Sequence, residues 1–122
     1  MEHKLIVGIA DMKMAKDSGM LVTYALGSCI GICLYDPMES RGAMRSRITA
    51  KIAGGAKMFE VSGGALGNIG QRNIESVHIN LKREGIRLLK EDVGGTVART
   101  LLFDVSTGMG CVRCYGKPEL II

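Results

Sequence analysis

The chain has no tryptophan, and its two phenylalanines and three tyrosines make up only 4% of its 122 residues. An interior must therefore be built from Ile, Leu, Val, Met and Ala. That is feasible, because 47% of the residues are hydrophobic. The same scarcity leaves few rings on which nucleic-acid bases could stack, and the charges are scattered with no run of five, so a nucleic-acid binder is not expected. Long apolar runs are missing too: Arg, Lys, Asp or Gly interrupts every stretch short of the ~20 residues a membrane helix needs. The opening MEHKLIVGIAD has a short apolar run but no small-residue cleavage site, so no secretory leader is expected and cytoplasm is the default location. Glycine is abundant, at 17 residues, yet follows no period, which excludes a collagen-like chain. What is present is a mildly basic chain, with formal net charge +4 and a pI near 9.0. Its length suits one domain spanning residues 1–122.

The four cysteines fall in two pairs, Cys29 with Cys33 and Cys111 with Cys114. This comes close to a four-thiolate zinc pattern, but both pairs lie in segments that read as strands. Cys29 and Cys33 would then share a face ~13 Å apart, and Cys111 and Cys114 would point to opposite faces. Neither pair contains the turn that a metal knuckle needs, so no metal site is expected. A disulfide does not suit a cytoplasmic chain. Three of the four read as small buried apolar residues.

Strands are predicted at 3–10, 20–26 and 29–36, with a small-residue turn at Leu26-Gly27-Ser28-Cys29. Residues 43–53 are ambiguous between one strand and the ends of two. Glycine dominates from Gly54 to Gly70. Asn68 is then expected to cap a helix of about four turns carrying Ile69, Ile74, Val77 and Leu81, which Gly85 ends. A strand and turn follow over GIRLLKEDVGG, and a hairpin joins 98–104 to 109–115. The class is α+β with a mixed, mainly antiparallel sheet, and one helix is few for a sheet of this size.

Cys29 stands apart because it joins a Gly-Ser turn to a buried strand. There its thiol can face a cleft, and its own N–H can receive the oxygen of a carbonyl under attack. A cysteine nucleophile also wants a base, normally histidine. The chain has only His3, near the N-terminus, and His78, which reads as a residue of a helix face. The glycine stretch GGALGNIG lacks both the GxGxxG spacing and the GK[ST] ending of phosphate-binding loops.

From Thr23 to Pro37 the chain reads TYALGSCIGICLYDP, which resembles the active-site segment of the chemoreceptor glutamine deamidase family CheD. Gly42-Ala43-Met44, AKIAGGAKMFE at 50–60, NIGQRNIESV at 68–77, GIRLLKEDVGGTVART at 85–100 and the terminal hairpin follow in the family's order. The resemblance implies a three-layer α/β/α-like fold and hydrolysis of glutamine side chains on methyl-accepting chemotaxis receptors. It implies the receptors' cytoplasmic helices as substrate, a CheC-like phosphatase as partner, and no cofactor or metal. Carried over by position, Cys29 is the nucleophile, Thr23 orients the site, and Phe59 belongs to a surface for partner or substrate.

The family's histidine base follows Gly-Ala-Met after one residue, and here Ser46 takes its place. The chain passes from Arg47 almost directly into AKIAGG, so a block the size of a loop and a helix is absent. On a strand, Met44, Ser46 and Ile48 would share a face, which would set Ser46 near Thr23 and Cys29. The chain thus reads as an internally shortened member with one helical layer reduced and apolar sheet surface left bare or covered by a second copy, a possible homodimer. Two functions follow: a protein-glutamine deamidase, or a catalytically impaired module that binds receptor or a CheC-like phosphatase.

Overall fold

Residues 4–38, 44–58 and 68–122 are described by the computed structural model. Among them are eight strands and one α-helix: β1 (Lys4–Ile6), β2 (Met20–Leu26), β3 (Ile30–Tyr35), β4 (Thr49–Gly54), α1 (Ile69–Arg83), β5 (Arg87–Val93), β6 (Arg99–Asp104), β7 (Met109–Cys114) and β8 (Leu120–Ile121). The strands divide between two sheets. One has the order β1-β2-β6-β7-β8 and the other β3-β4-β5. Only the β1–β2 and β4–β5 pairs are parallel. This is the expected α+β arrangement with mixed, mainly antiparallel pairing.

The layers run from the five-stranded sheet through the three-stranded sheet to α1. Between the sheets pack Leu26, Leu101, Val112 and Ile122 from one side and Ala53 and Cys33 from the other. Between the smaller sheet and α1 pack Ala50, Ile52 and Leu81, with Ile30, Val77 and Leu88. β4 is therefore covered on both faces, which accounts for its composition. Ala50, Ile52 and Ala53 are fully buried, and the small side chains of Ala50 on the helix face and Ala53 on the other let α1 and the larger sheet approach β4 closely. Lys51 is the exception on this strand. It reaches across the sheet interface and donates from Nζ to the carbonyls of Gly108 at 2.9 Å and Ile122 at 2.7 Å.

Helix α1 agrees with the sequence reading at its C-terminus. Gly85 takes a left-handed φ of 69°, with Gly85 N–H bonded to Lys82 O and Ile86 N–H to Leu81 O. At the N-terminus Asn68 holds the N-cap position as expected, but without the bond that usually makes a cap. A Cβ on Gly70 would lie 2.4 Å from Gly55 O, so close packing on that loop fixes where the helix begins.

A second difference concerns residues 43–53. Ala43 lies outside the described residues; from Met44 on the span holds a single strand, Thr49–Gly54, and the part before it is a 3-10 turn, Arg45–Arg47. The turn is held by Asp36, whose carboxylate accepts from Arg47 Nε at 3.1 Å and Nη2 at 3.2 Å and from the Met44 amide at 3.0 Å.

On β3, Gly31, Cys33 and Tyr35 face the larger sheet, where Tyr35 meets Phe103 edge to face with ring centroids 5.9 Å apart. Ile30, Ile32 and Leu34 face the helix side. Helix α1 covers Ile30, but Ile32 and Leu34 are 48% and 52% exposed. This is bare apolar sheet surface of the kind expected from a reduced helical layer. Among the described residues no helix is long and apolar enough to cross a membrane.

Candidate active site

The turn at 27–29 carries the chain from the last residue of β2, in one sheet, to the first of β3, in the other. Each of its three carbonyls has a partner: Gly27 O accepts from Ala56 N–H at 2.9 Å, Ser28 O from Asn73 Nδ2 at 2.8 Å, and Cys29 O from Gly55 N–H at 2.9 Å. The loop after β4 and the second turn of α1 thus grip the turn from one side. The Cys29 N–H has no acceptor among the described residues, and the Cys29 side chain is exposed.

The approach is close enough to dictate residue type. Gly54 has φ of 121°, and a Cβ there would lie 2.1 Å from Cys29 O. Only glycine accepts both conditions. Behind it, Arg99 is buried and ties the same place down, donating to Asp92 at 2.9 Å and to Gly54 O at 3.1 Å. Arg99 and Asp92 are both in the GIRLLKEDVGGTVART segment.

Thr23 lies on the face of β2 that meets β3. A Cβ on Gly31, two residues beyond Cys29, would touch its methyl at 3.5 Å. No hydrogen bond joins Thr23 to Cys29 among the described residues. Between Thr23 and Leu26 the pairing with β6 slips by one residue, and Ala25 there has a left-handed φ of 54°. A bulge of this kind re-aims the strand just before the Gly-Ser turn.

Ser46 is not near this site. Thr49 pairs with Tyr35 and Gly54 with Ile30, so the residues before Thr49 lie at the Tyr35 end of the sheet. That end is roughly 17 Å of strand away from the start of β3. The strand on which Met44, Ser46 and Ile48 were to share a face is replaced by the 3-10 turn, pinned by Asp36. His78 is also engaged elsewhere: Nε2 lies 2.8 Å from Glu91 Oε1, and Glu91 sits beside Ile52 in mid-strand. No other histidine occurs among the described residues, and His3 and Phe59 lie outside them.

The other cysteines differ from Cys29. Cys33 packs between the sheets, and burial pushes its thiol up to about 12. Cys114 packs into the same core. Cys111 points the opposite way, as alternation on β7 requires, but is not a buried apolar residue. Its thiol donates to Glu119 at 3.4 Å, and partial burial and that carboxylate raise its pKa.

A family model described as CheD chemotactic sensory transduction matches residues 11–114. A probable chemoreceptor glutamine deamidase CheD of Syntrophomonas wolfei is 39% identical over 155 aligned positions, covering 95% of this chain and 96% of the relative. The chain belongs to the CheD family. The chemoreceptor glutamine deamidase CheD of Thermotoga maritima is 36% identical over 152 positions, covering 95% of each chain. A probable deamidase of the same name from Desulfitobacterium hafniense is 38% identical over 160 positions and aligns over all of both chains. This chain has 122 residues, so the difference in length is internal and the chain is a shortened CheD.

Asn73 and Arg99 escaped the sequence reading as site residues. Each lies inside a segment that carries the resemblance, NIGQRN for Asn73 and EDVGGTVART for Arg99. Those segments drew attention for their pattern alone, which says nothing of the backbone carbonyl each side chain seeks.

Proposed function

We propose that this chain hydrolyses glutamine side chains of chemoreceptors to glutamate and ammonia, with Cys29 as the nucleophile. Membership of a family whose relatives bear the name chemoreceptor glutamine deamidase supports the reaction. One observation carries the assignment to Cys29: an exposed thiol on a turn held at all three carbonyls, with its own N–H unengaged.

In the reaction the Cys29 thiolate bonds to the amide carbon, and the carbonyl electron pair moves onto oxygen. The Cys29 N–H donates to that oxyanion. Collapse expels the nitrogen as ammonia after it takes a proton, leaving a thioester. Water adds to the thioester, the C–S bond breaks, and the thiol re-forms beside a glutamate carboxylate. Thr23, on the facing strand, orients the incoming amide through its hydroxyl. No described imidazole stands at the turn, so the thiol proton passes to solvent. The loss of positioned acid–base help lowers the rate by ~10²–10⁴.

The engagement of His78 with Glu91 favours a second reading, a module that binds receptor or a CheC-like phosphatase without turnover. In either case the cytoplasmic helices of receptors are the target, which makes the chain cytoplasmic, and Phe59 contributes to the contact surface. Residues 1–122 act as one domain. Exposed Ile32 and Leu34 support a second copy as the cover of that face.

The test is peptide mass spectrometry of a receptor cytoplasmic fragment incubated with the chain or with Cys29→Ala. Slow glutamine-to-glutamate conversion by the wild type and none by Cys29→Ala is the expected result. Equal conversion by both overturns the assignment of Cys29, and binding of the fragment with no conversion establishes the second reading.

A further inference from the structure

At the end of the sheets opposite Cys29 lies a cavity of about 500 Å³. This is within the ~300–1,000 Å³ of small-molecule sites and several times larger than an inorganic anion fills. Its charge is of one sign. Lys51 on its wall bonds only to two neutral carbonyls. An ammonium has three donors, so one is left to point into the space. Arg87 lines the same cavity and has no partner among the described residues. Arg47 also lines it but is engaged by Asp36. Asp104, the carboxylate on the adjoining hairpin, is turned back onto Ser106 and does not line the cavity. The remaining wall includes the apolar side chains of Leu89, Phe103 and Met109.

We propose that this cavity binds a small organic carboxylate, its carboxylate held by Lys51 Nζ and the Arg87 guanidinium and its apolar body laid against Leu89, Phe103 and Met109. The planar fork of a guanidinium matches a carboxylate with two parallel hydrogen bonds, and such charge-assisted bonds are about twice as strong as neutral ones. Cys33 opens onto the same space. Burial keeps its thiol protonated at neutral pH, so it does not cancel the positive charge. The site is separate from the Cys29 turn and does not depend on the deamidase reading.

Hexanoate is the probe, titrated into the full chain by calorimetry and followed by NMR shifts of the cavity residues, with hexanamide and inorganic phosphate as controls. Saturable hexanoate binding is expected, with shifts at Leu89, Phe103 and Met109, and hexanamide should be about tenfold weaker or more. Arg87→Gln is the variant of choice, because Arg87 is exposed and unpartnered whereas Lys51 also ties the two sheets together. It should weaken hexanoate by about tenfold or more at unchanged melting temperature. The proposal is overturned by any of four results: no saturable hexanoate binding, hexanamide binding as well as hexanoate, phosphate displacing hexanoate with equal affinity, or Arg87→Gln binding like the wild type.

Discussion

Alkylation by iodoacetamide separates the four thiols, because it reads both access and thiolate fraction. At pH 8 a thiol with a pKa of about 12, as at Cys33, is thiolate in about one molecule in ten thousand. A freely exposed thiol with pKa ~8.5 is about one quarter thiolate at that pH. Titration alone therefore slows Cys33 by ~10³ against such a reference, before its partial burial is counted. Cys29 is exposed and should react within about tenfold of a small reference thiol such as glutathione. Cys111, raised by partial burial and by Glu119, should fall between the two. The assay is a time course at pH 8 in native buffer, quenched with acid and mapped by peptide mass spectrometry. If Cys33 or Cys111 is alkylated faster than Cys29, the assignment of the open thiol to the 27–29 turn is wrong.

Three further outcomes follow from the geometry. Burial raises Cys33 above its unfolded value of 9.0, so the unfolded chain loses this proton first as pH rises. Its contribution to stability is full below about pH 9 and declines towards pH 12 by up to ~1.4 kcal/mol per unit, so urea midpoints at pH 8 and 10 should diverge less in Cys33→Ala, and equal divergence refutes the buried thiol. Asn73→Ala leaves Ser28 O without its partner and should cost ~1–3 kcal/mol in urea unfolding while accelerating Cys29 alkylation; unchanged alkylation means that Asn73 does not hold the turn. Gly85→Ala places a Cβ in open space at φ 69° and should cost only the ~1–2 kcal/mol of a left-handed residue, whereas Gly54→Ala drives a Cβ into Cys29 O and should alter Cys29 alkylation, so identical labelling of the two variants would contradict the close approach.

Much of the element list was legible because local patterning and turn chemistry decide it. MLVTYAL became β2 over the expected residues, and the hairpin after Asp104 and the Gly85 helix stop followed from turn and cap preferences. Residues 44–48 were illegible because their outcome is tertiary: Asp36 folds Arg45–Arg47 into a turn that no periodicity announces. The division of the strands into two sheets was hidden for a similar reason, since alternation marks a strand's buried face but not which strand pairs with it. The open position of Cys29 was legible from its Gly-Ser turn, and the structure leaves its side chain exposed. Ser46 was misplaced because counting along a strand presumes that the strand exists. Asn73 and Arg99 were invisible because their partners are backbone carbonyls 45 residues away in sequence.

The connectivity described above also sets an order of assembly. The smaller sheet and α1 come from one unbroken stretch, residues 30–93. The larger sheet needs β2 to pair with β6, so that Leu21 meets Phe103 across most of the chain. Loops of that length close late, after nearby segments have paired. The inner sheet and helix are therefore expected to form first, with β2 and the C-terminal strands docking onto them afterwards. Cys29 lies on the seam between the two bodies. A folding intermediate that contains only the first of them has the grip of Gly55, Ala56 and Asn73 but lacks Thr23 opposite, so under the role proposed for Cys29 a substrate bound at the seam would draw the two bodies together and oppose their separation.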